Sequence, residues 1–171
     1  EGWIDVPIPQ AQYQLTVLLQ EKGYLKPRFE RQGDKLTVWS GPRETFADLK
    51  VDGADGLLKG SKKRKVIGEP ITPDKLDEIT EWADTELRSK GFACPTVEVK
   101  AQAWDRLAHV TVHPGLRQKV ASIKRTGLER LDPDTLARYQ AFEVGDTYDV
   151  RETQLTVSRL LMDGLIQSCL L

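Results

Sequence analysis

His109 and His113 stand four residues apart in a stretch that alternates apolar and polar residues, so a strand there puts both imidazoles on one face. Two such rings could open a metal site, but a metal wants a third suitable ligand. No further His or Cys supplies one nearby. Asp105 is a carboxylate within reach in sequence, yet solvent-facing polar positions account for both histidines, so no metal and no cofactor are expected. Ser122, Ser158 and Ser168 lack the setting of a nucleophile elbow. Gly53, Gly56 and Gly60 are too loosely spaced to cradle phosphate before a helix. Asp74, Asp77, Glu78 and Glu81 fall on the exposed side of a predicted helix and read as solubilising groups, not an acid–base pair. The patterns therefore assign no catalytic residue. A small α/β enzyme whose catalytic groups are distant in sequence is the least favoured reading.

One dense basic cluster stands out: Lys59, Lys62, Lys63, Arg64 and Lys65. A solvated loop is its plain reading; a contact with acidic protein or anionic headgroups is the functional one. Nucleic acid is disfavoured, because the chain carries a net charge of -1 and no aromatic stacking platform surrounds the cluster. Trp39 and Trp104 lie at hairpin positions, where packing is the default and an exposed partner anchor the alternative. Cys94 and Cys169 form no metal motif, and free, partly buried thiols are expected. No apolar run approaches the roughly 20 residues of a membrane-spanning helix, and nothing at Glu1 reads as a signal peptide.

The elements that would position these residues repeat. Residues 47–53 and 121–127 both alternate like half-buried strands and both end in glycine, 74 residues apart. Thr72 before Pro73, and Asp149 with Glu152 three positions on, are helix-start signals. Asp132 before Pro133 is another, with Leu136 and Tyr139 facing inward. Leu76, Ile79, Ala83 and Leu87 recur at helical spacing, as do Val157, Leu160, Leu161 and Leu165. Gly23-Tyr24, Gly91-Phe92 and Gly164-Leu165 are three helix ends of one type, a left-handed glycine followed by a residue that packs back. Alternation predicts strands over 28–31 and 35–39 about the turn Gln32-Gly33-Asp34, and a second hairpin over 96–103 and 108–112. A weaker helix is expected over 57–65.

One unit reads strand, helix, helix, strand, strand. The expected organisation is a partial first module over 1–42, a complete one over 43–115 and a partial third over 116–171, with short linkers at Gly41-Pro42 and Pro114-Gly115. Units of about 70 residues have small cores and gain by packing on neighbours.

The unit, together with Val120 to Gly127, Leu136 to Tyr139 and the stretch Ala141-Phe142-Glu143-Val144-Gly145-Asp146-Thr147-Tyr148-Asp149, resembles the polypeptide-transport-associated (POTRA) domains of the Omp85 superfamily, of the barrel-assembly or translocation-and-assembly type. The resemblance implies an α+β fold of tandem modules, each a three-stranded sheet with two helices on one face. It implies no catalysis, and a periplasmic site at the outer membrane of a Gram-negative bacterium, with a C-terminal β-barrel normally attached. Its implied partners are unfolded outer-membrane proteins or accessory periplasmic proteins and lipoproteins. A substrate-recognition module of a related secretion transporter is the alternative. By the same analogy, the edge strand for added client strands is Thr96, Val97, Glu98, Val99, Lys100, Ala101, Gln102 and Ala103.

Overall fold

A computed structural model of the protein describes residues 6–54, 56–58, 61–102, 104–127 and 131–167, with the backbone alone for residues 61 and 62. The elements run α1 (Ile8–Glu21), β1 (Arg28–Gln32), β2 (Lys35–Trp39), β3 (Asp48–Asp52), α2 (Ser61–Val66), α3 (Pro73–Arg88), β4 (Thr96–Ala101), β5 (Leu107–His113), α4 (Pro133–Tyr139) and α5 (Val150–Met162). The chain separates into two compact units, 1–81 with 97–111, and 82–96 with 112–171.

The first unit holds two sheets. β1 and β2 form an antiparallel hairpin in register from Arg28↔Trp39 to Gln32↔Lys35, turned through Gly33 at φ +61. The second sheet has the order β3-β5-β4. β3 pairs with β5 in parallel, Leu49 opposite Ala108 and Val51 opposite Val110. A parallel pair needs a long crossover, and the stretch holding α2 and α3 supplies it. β4 reaches β5 through a turn of a few residues, so that pair is antiparallel and the sheet is mixed. Helices α2 and α3 flank it, giving the order strand, helix, helix, strand, strand.

Alternation decides which face is wet. Ala108 and Val110 of β5 are buried, with half-buried Leu107, His109 and Thr111 beside them. Leu49, Phe46, Val66, Ile71 and Ile79 complete this core. α3 begins as its sequence signal predicts, with the Thr72 hydroxyl accepting from the Lys75 amide at 3.2 Å.

In the second unit the end of α3 buries Ala83 and Leu87, α4 buries Leu136 and α5 buries Leu160. Asp132 caps α4 by accepting from the Thr135 amide at 2.9 Å, and Asp149 caps α5 by accepting from the Arg151 amide at 2.8 Å.

Several expectations need correction. Residues 121–127 alternate like a strand but form none. Alternation supplies a face, whereas a strand also needs a ladder partner, and no described strand lies beside this segment. The first crossover helix starts at Ser61, not at residue 57, because Leu57 and Leu58 lie in a turn after Gly56 at φ +71. β4 ends at Ala101, before Gln102. Leu161 points outward beside buried Leu160, as the 100° step between neighbours on a helix requires. Glu152 makes no return bond to the Asp149 amide, so α5 has a single-residue cap. Trp39 and Trp104 are not packed, at 48% and 78% exposed. Cys94 is a free, exposed thiol. Trp3, Lys59, Ala103, Ser168 and Cys169 lie outside the described residues, as does the Lys62 side chain.

Candidate partner-binding surface

β4 lies at one edge of the β3-β5-β4 sheet. Its side chains alternate strictly. Thr96, Glu98 and Lys100 are exposed, while Val97, Val99 and Ala101 are half-buried. An edge strand offers one row of backbone N–H and C=O groups outside the ladder. The Lys100 ammonium and Glu98 carboxylate pair at 2.6 Å on the wet face, and both side chains are mostly exposed. Such a pair holds the strand only weakly. Gln102 follows in a turn, where its carbonyl accepts from the Arg106 amide at 3.1 Å.

The turn from β4 to β5 is closed by the residues that first invited a metal reading. Asp105 accepts from the Leu107 amide at 3.0 Å and contacts His109 Nε2 at 3.0 Å. The His109 hydrogen bond, helped by that amide, holds the Asp105 carboxyl below its ordinary range. His113 is exposed, and no group of three or more metal-type ligands exists among the described residues. Arg106 adopts φ +57, unusual for a side chain with a Cβ. Its Nε and Nη2 donate to the Thr45 carbonyl and hydroxyl, both at 2.8 Å, which over-determines the conformation.

The basic cluster is partly tied down. Lys63 bridges from α2 to Asp48 of β3 at 2.8 Å. That hydrogen bond, with a smaller one from the Leu49 amide, holds Asp48 below its ordinary carboxylate range. Arg64 and Lys65 are exposed. Trp39 lines an open groove of about 670 Å³ with Lys26, Arg28, Phe29 and Pro42.

A further arrangement occurs twice. In the first unit α1 ends at Gly23, φ +85, with the Tyr24 amide donating back to Leu19. The Glu44 amide donates to the Gly23 carbonyl at 3.0 Å, and Arg43 Nε donates to the Lys22 carbonyl at 2.7 Å. The segment 44–46 then pairs with 68–71: Ile71 N–H to Glu44, Phe46 N–H to Glu69, and Gly68 N–H to Phe46. In the second unit α3 ends at Gly91, φ +98, with the Phe92 amide donating to Leu87. The Gln118 amide donates to the Gly91 carbonyl at 2.8 Å, and Arg117 Nε donates to the Lys90 carbonyl at 2.8 Å. Tyr148 N–H goes to Gln118, Val120 N–H to Asp146, and Gly145 N–H to Val120. The two clasps agree bond for bond. Arg117 also lies over the Phe92 ring, 5.8 Å from its centroid. Positive φ favours glycine at both ends, and the packing adds to it: a Cβ at Gly91 would clash with Thr147 at 2.7 Å, and one at Gly23 would crowd Pro70 at 3.2 Å.

Sequence reading located the glycines but missed the arginines. Arg43 and Arg117 are 74 residues apart, the same offset as segments 47–53 and 121–127, and each follows a Gly/Pro pair. That offset was the available signal. Elsewhere in the second unit, Glu86 pairs with Arg151 at 2.7 Å and with Lys90 at 3.2 Å. Burial pushes its carboxyl up, but the two cations outweigh burial and hold it below its ordinary value.

The strand-helix-helix-strand-strand order with its β3-β5-β4 sheet defines a POTRA fold. Solved structures agree. POTRA domains 3–5 of BamA from Haemophilus influenzae superpose with TM-score 0.59 at 15% identity, over 93% of this chain and 71% of that one. BamA from Haemophilus ducreyi lacking POTRA domains 1–3 gives TM-score 0.57 at 21% identity, over 73% of this chain and 24% of that one. The N-terminal domain of Omp85 from Thermosynechococcus elongatus, a thermophilic cyanobacterium, gives TM-score 0.51 at 15% identity, over 95% and 75%. No family model matches the chain, and no curated protein matches its sequence.

Proposed function

We propose that this chain is a non-catalytic periplasmic scaffold that receives extended segments of outer-membrane proteins or accessory subunits during β-barrel assembly. The observation that carries the reading is the β4 edge, a strictly alternating strand at one of the two edges of the β3-β5-β4 sheet. A client strand added there bonds through its backbone, so clients of varied sequence are accepted, and alternate side chains supply the selectivity. The fold supports the reading because its neighbours are POTRA domains of BamA and the N-terminal domain of Omp85. On this reading the chain comprises the modules 1–42, 43–115 and 116–171, lies at the outer membrane and serves an attached barrel. Recognition of one exported substrate by a secretion transporter is the narrower alternative.

The test is a titration of the isotope-labelled chain with an extended peptide from an outer-membrane barrel strand. Saturable amide shifts along Thr96 to Gln102, with new exchange protection there, are expected. Shifts confined to Arg64 and Lys65 would replace strand addition with an electrostatic contact. Shifts confined to the Trp39 groove would move the site to that hairpin. No shift at all on folded protein would refute direct client binding.

A further inference from the structure

Among the described residues Arg106 alone, glycines apart, has a positive φ, +57. A side chain with a Cβ takes that conformation at a cost, so its surroundings must hold it there. Thr45 does so. Arg106 Nε and Nη2 donate to the Thr45 carbonyl and hydroxyl, both at 2.8 Å, and the Ala47 amide donates to the Arg106 carbonyl at 2.8 Å. In the other direction, the Arg106 amide donates to the Gln102 carbonyl at 3.1 Å, which closes the turn directly after β4. One residue is thus bonded both to the end of the edge strand and to the segment 44–47.

That segment carries the first clasp. Along an extended chain, successive residues turn their backbone groups to opposite sides. Glu44 and Phe46 turn theirs to Gly23, Ile71, Glu69 and Gly68, whereas Thr45 and Ala47 turn theirs to Arg106. The Glu44 carboxylate adds weaker ties, 4.0 Å from Arg106 Nε and 3.4 Å from Lys26 Nζ. All of these groups belong to the first compact unit.

We infer that Arg106 is a positioning residue that couples the β4 edge to the clasp at Gly23. The left-handed turn and the Thr45 bonds stand or fall together. Without the bonds the backbone relaxes out of a costly conformation, and without the turn the guanidinium leaves Thr45. Loosening or ordering of β4 at Gln102 therefore reaches Glu44 and Phe46 through this residue, and changes at the clasp reach β4 by the same route, as linkage requires. The coupling stands on the fold alone. Where β4 receives an added strand, on the reading above, the clasp registers it.

The test is amide hydrogen exchange at Glu44 and Phe46, referred to the amide of Ile79, whose fully buried side chain lies in the core of the same unit. Val99→Ala loosens β4 and should speed exchange at the two clasp amides at least about five-fold more than at Ile79. Arg106→Gly removes both guanidinium bonds and tolerates the left-handed φ. In that background Val99→Ala should change the clasp no more than it changes Ile79. A merely structural Arg106 would raise clasp exchange by itself and leave the response to Val99→Ala intact. If Arg106→Gly does not fold, Thr45→Val, which lacks only the hydroxyl acceptor, serves instead and should reduce the response. The inference is overturned if Val99→Ala leaves the clasp no faster than Ile79 in the otherwise native chain, or if the response survives Arg106→Gly or Thr45→Val at full size. A second arm adds the extended barrel-strand peptide. Protection along β4 that also slows the clasp relative to Ile79, and does so only with Arg106 present, supports the coupling; protection along β4 alone overturns it. A peptide that protects nothing on β4 refutes strand addition, and the Val99→Ala response still decides the role of Arg106.

Discussion

Gly91→Ala should be among the most damaging one-carbon changes in this chain, and Gly164→Ala among the mildest at a left-handed position. Both residues have positive φ, +98 and +66. A Cβ in the left-handed region costs about 1–2 kcal/mol, and the stiffer unfolded chain returns about 0.4–1 kcal/mol. At Gly164 nothing described lies within 4 Å, so the net loss should stay near 1 kcal/mol or below, about the difference of those two figures. At Gly91 the new carbon would sit 2.7 Å from Thr147 Cγ2 and 3.2 Å from Arg117 Cγ. Overpacking of that kind adds about 1–3 kcal/mol, for a total of about 2–4 kcal/mol. Urea unfolding followed by circular dichroism, with hydrogen exchange at Phe92 and Gln118 to localise the loss, measures the difference. With a slope of about 2 kcal/mol per molar, the Gly91 midpoint should fall roughly 1 M further than the Gly164 midpoint. Thr147→Ser removes the offending methyl, so the double variant should recover about 1 kcal/mol over additivity. Equal losses at the two glycines, or no recovery with Thr147→Ser, would refute the claim that the packing of Thr147 and Arg117 around Gly91 is what requires glycine.

Arg117→Ala removes a 2.8 Å hydrogen bond and the stack on Phe92, and should cost about 1–2 kcal/mol in the same unfolding assay, with Arg117→Lys recovering only part of it. Ile79→Ala empties a fully buried position and should cost about 2–5 kcal/mol, read as a fall in the thermal midpoint. Glu86 has a folded carboxyl below its ordinary value of 4.5, so the stability from its ion pairs is full above that pH and is lost as pH falls through the folded value. Glu86→Gln should therefore lower stability at neutral pH and flatten the decline below about pH 4.5, as measured by unfolding across an acid series.

Much of the fold was legible in the residues because its signals are local. Glycine after α1, α3 and α5, the caps Thr72, Asp132 and Asp149, and the alternation of β4 and β5 each act within a few positions. What failed was non-local. Residues 121–127 have a strand's pattern without a strand's partner. Trp39 and Trp104 are as apolar as core residues, and only the tertiary fold leaves them exposed. The β4 edge was readable as a strand, but its place at the edge follows from the pairing order, which alternation does not encode. The Arg43 and Arg117 clasps needed the 74-residue offset and the structure together.

The clasps also explain how a chain can keep this architecture while its sequence drifts. Three of the four positions that set each clasp act through backbone alone: the glycine carbonyl, the carbonyl before it and the amide after the arginine. Lys22 and Lys90 contribute only their carbonyls to it, and Glu44 and Gln118 only backbone groups, so the clasp itself makes no demand on their side chains, although Lys90 pairs with Glu86 and Glu44 with Lys26 for other reasons. Two constraints remain, a residue without a Cβ and a donor that can reach a helix's last carbonyls. Arginine meets the second because its planar Nε–H can donate to a carbonyl while its aliphatic stem packs against the glycine, as the 3.2–3.3 Å approach of Cγ to a Cβ placed there records. Lysine has no such side donor. A helix end of this type is therefore specified by two residues about 20 to 26 positions apart, Gly23 with Arg43 and Gly91 with Arg117.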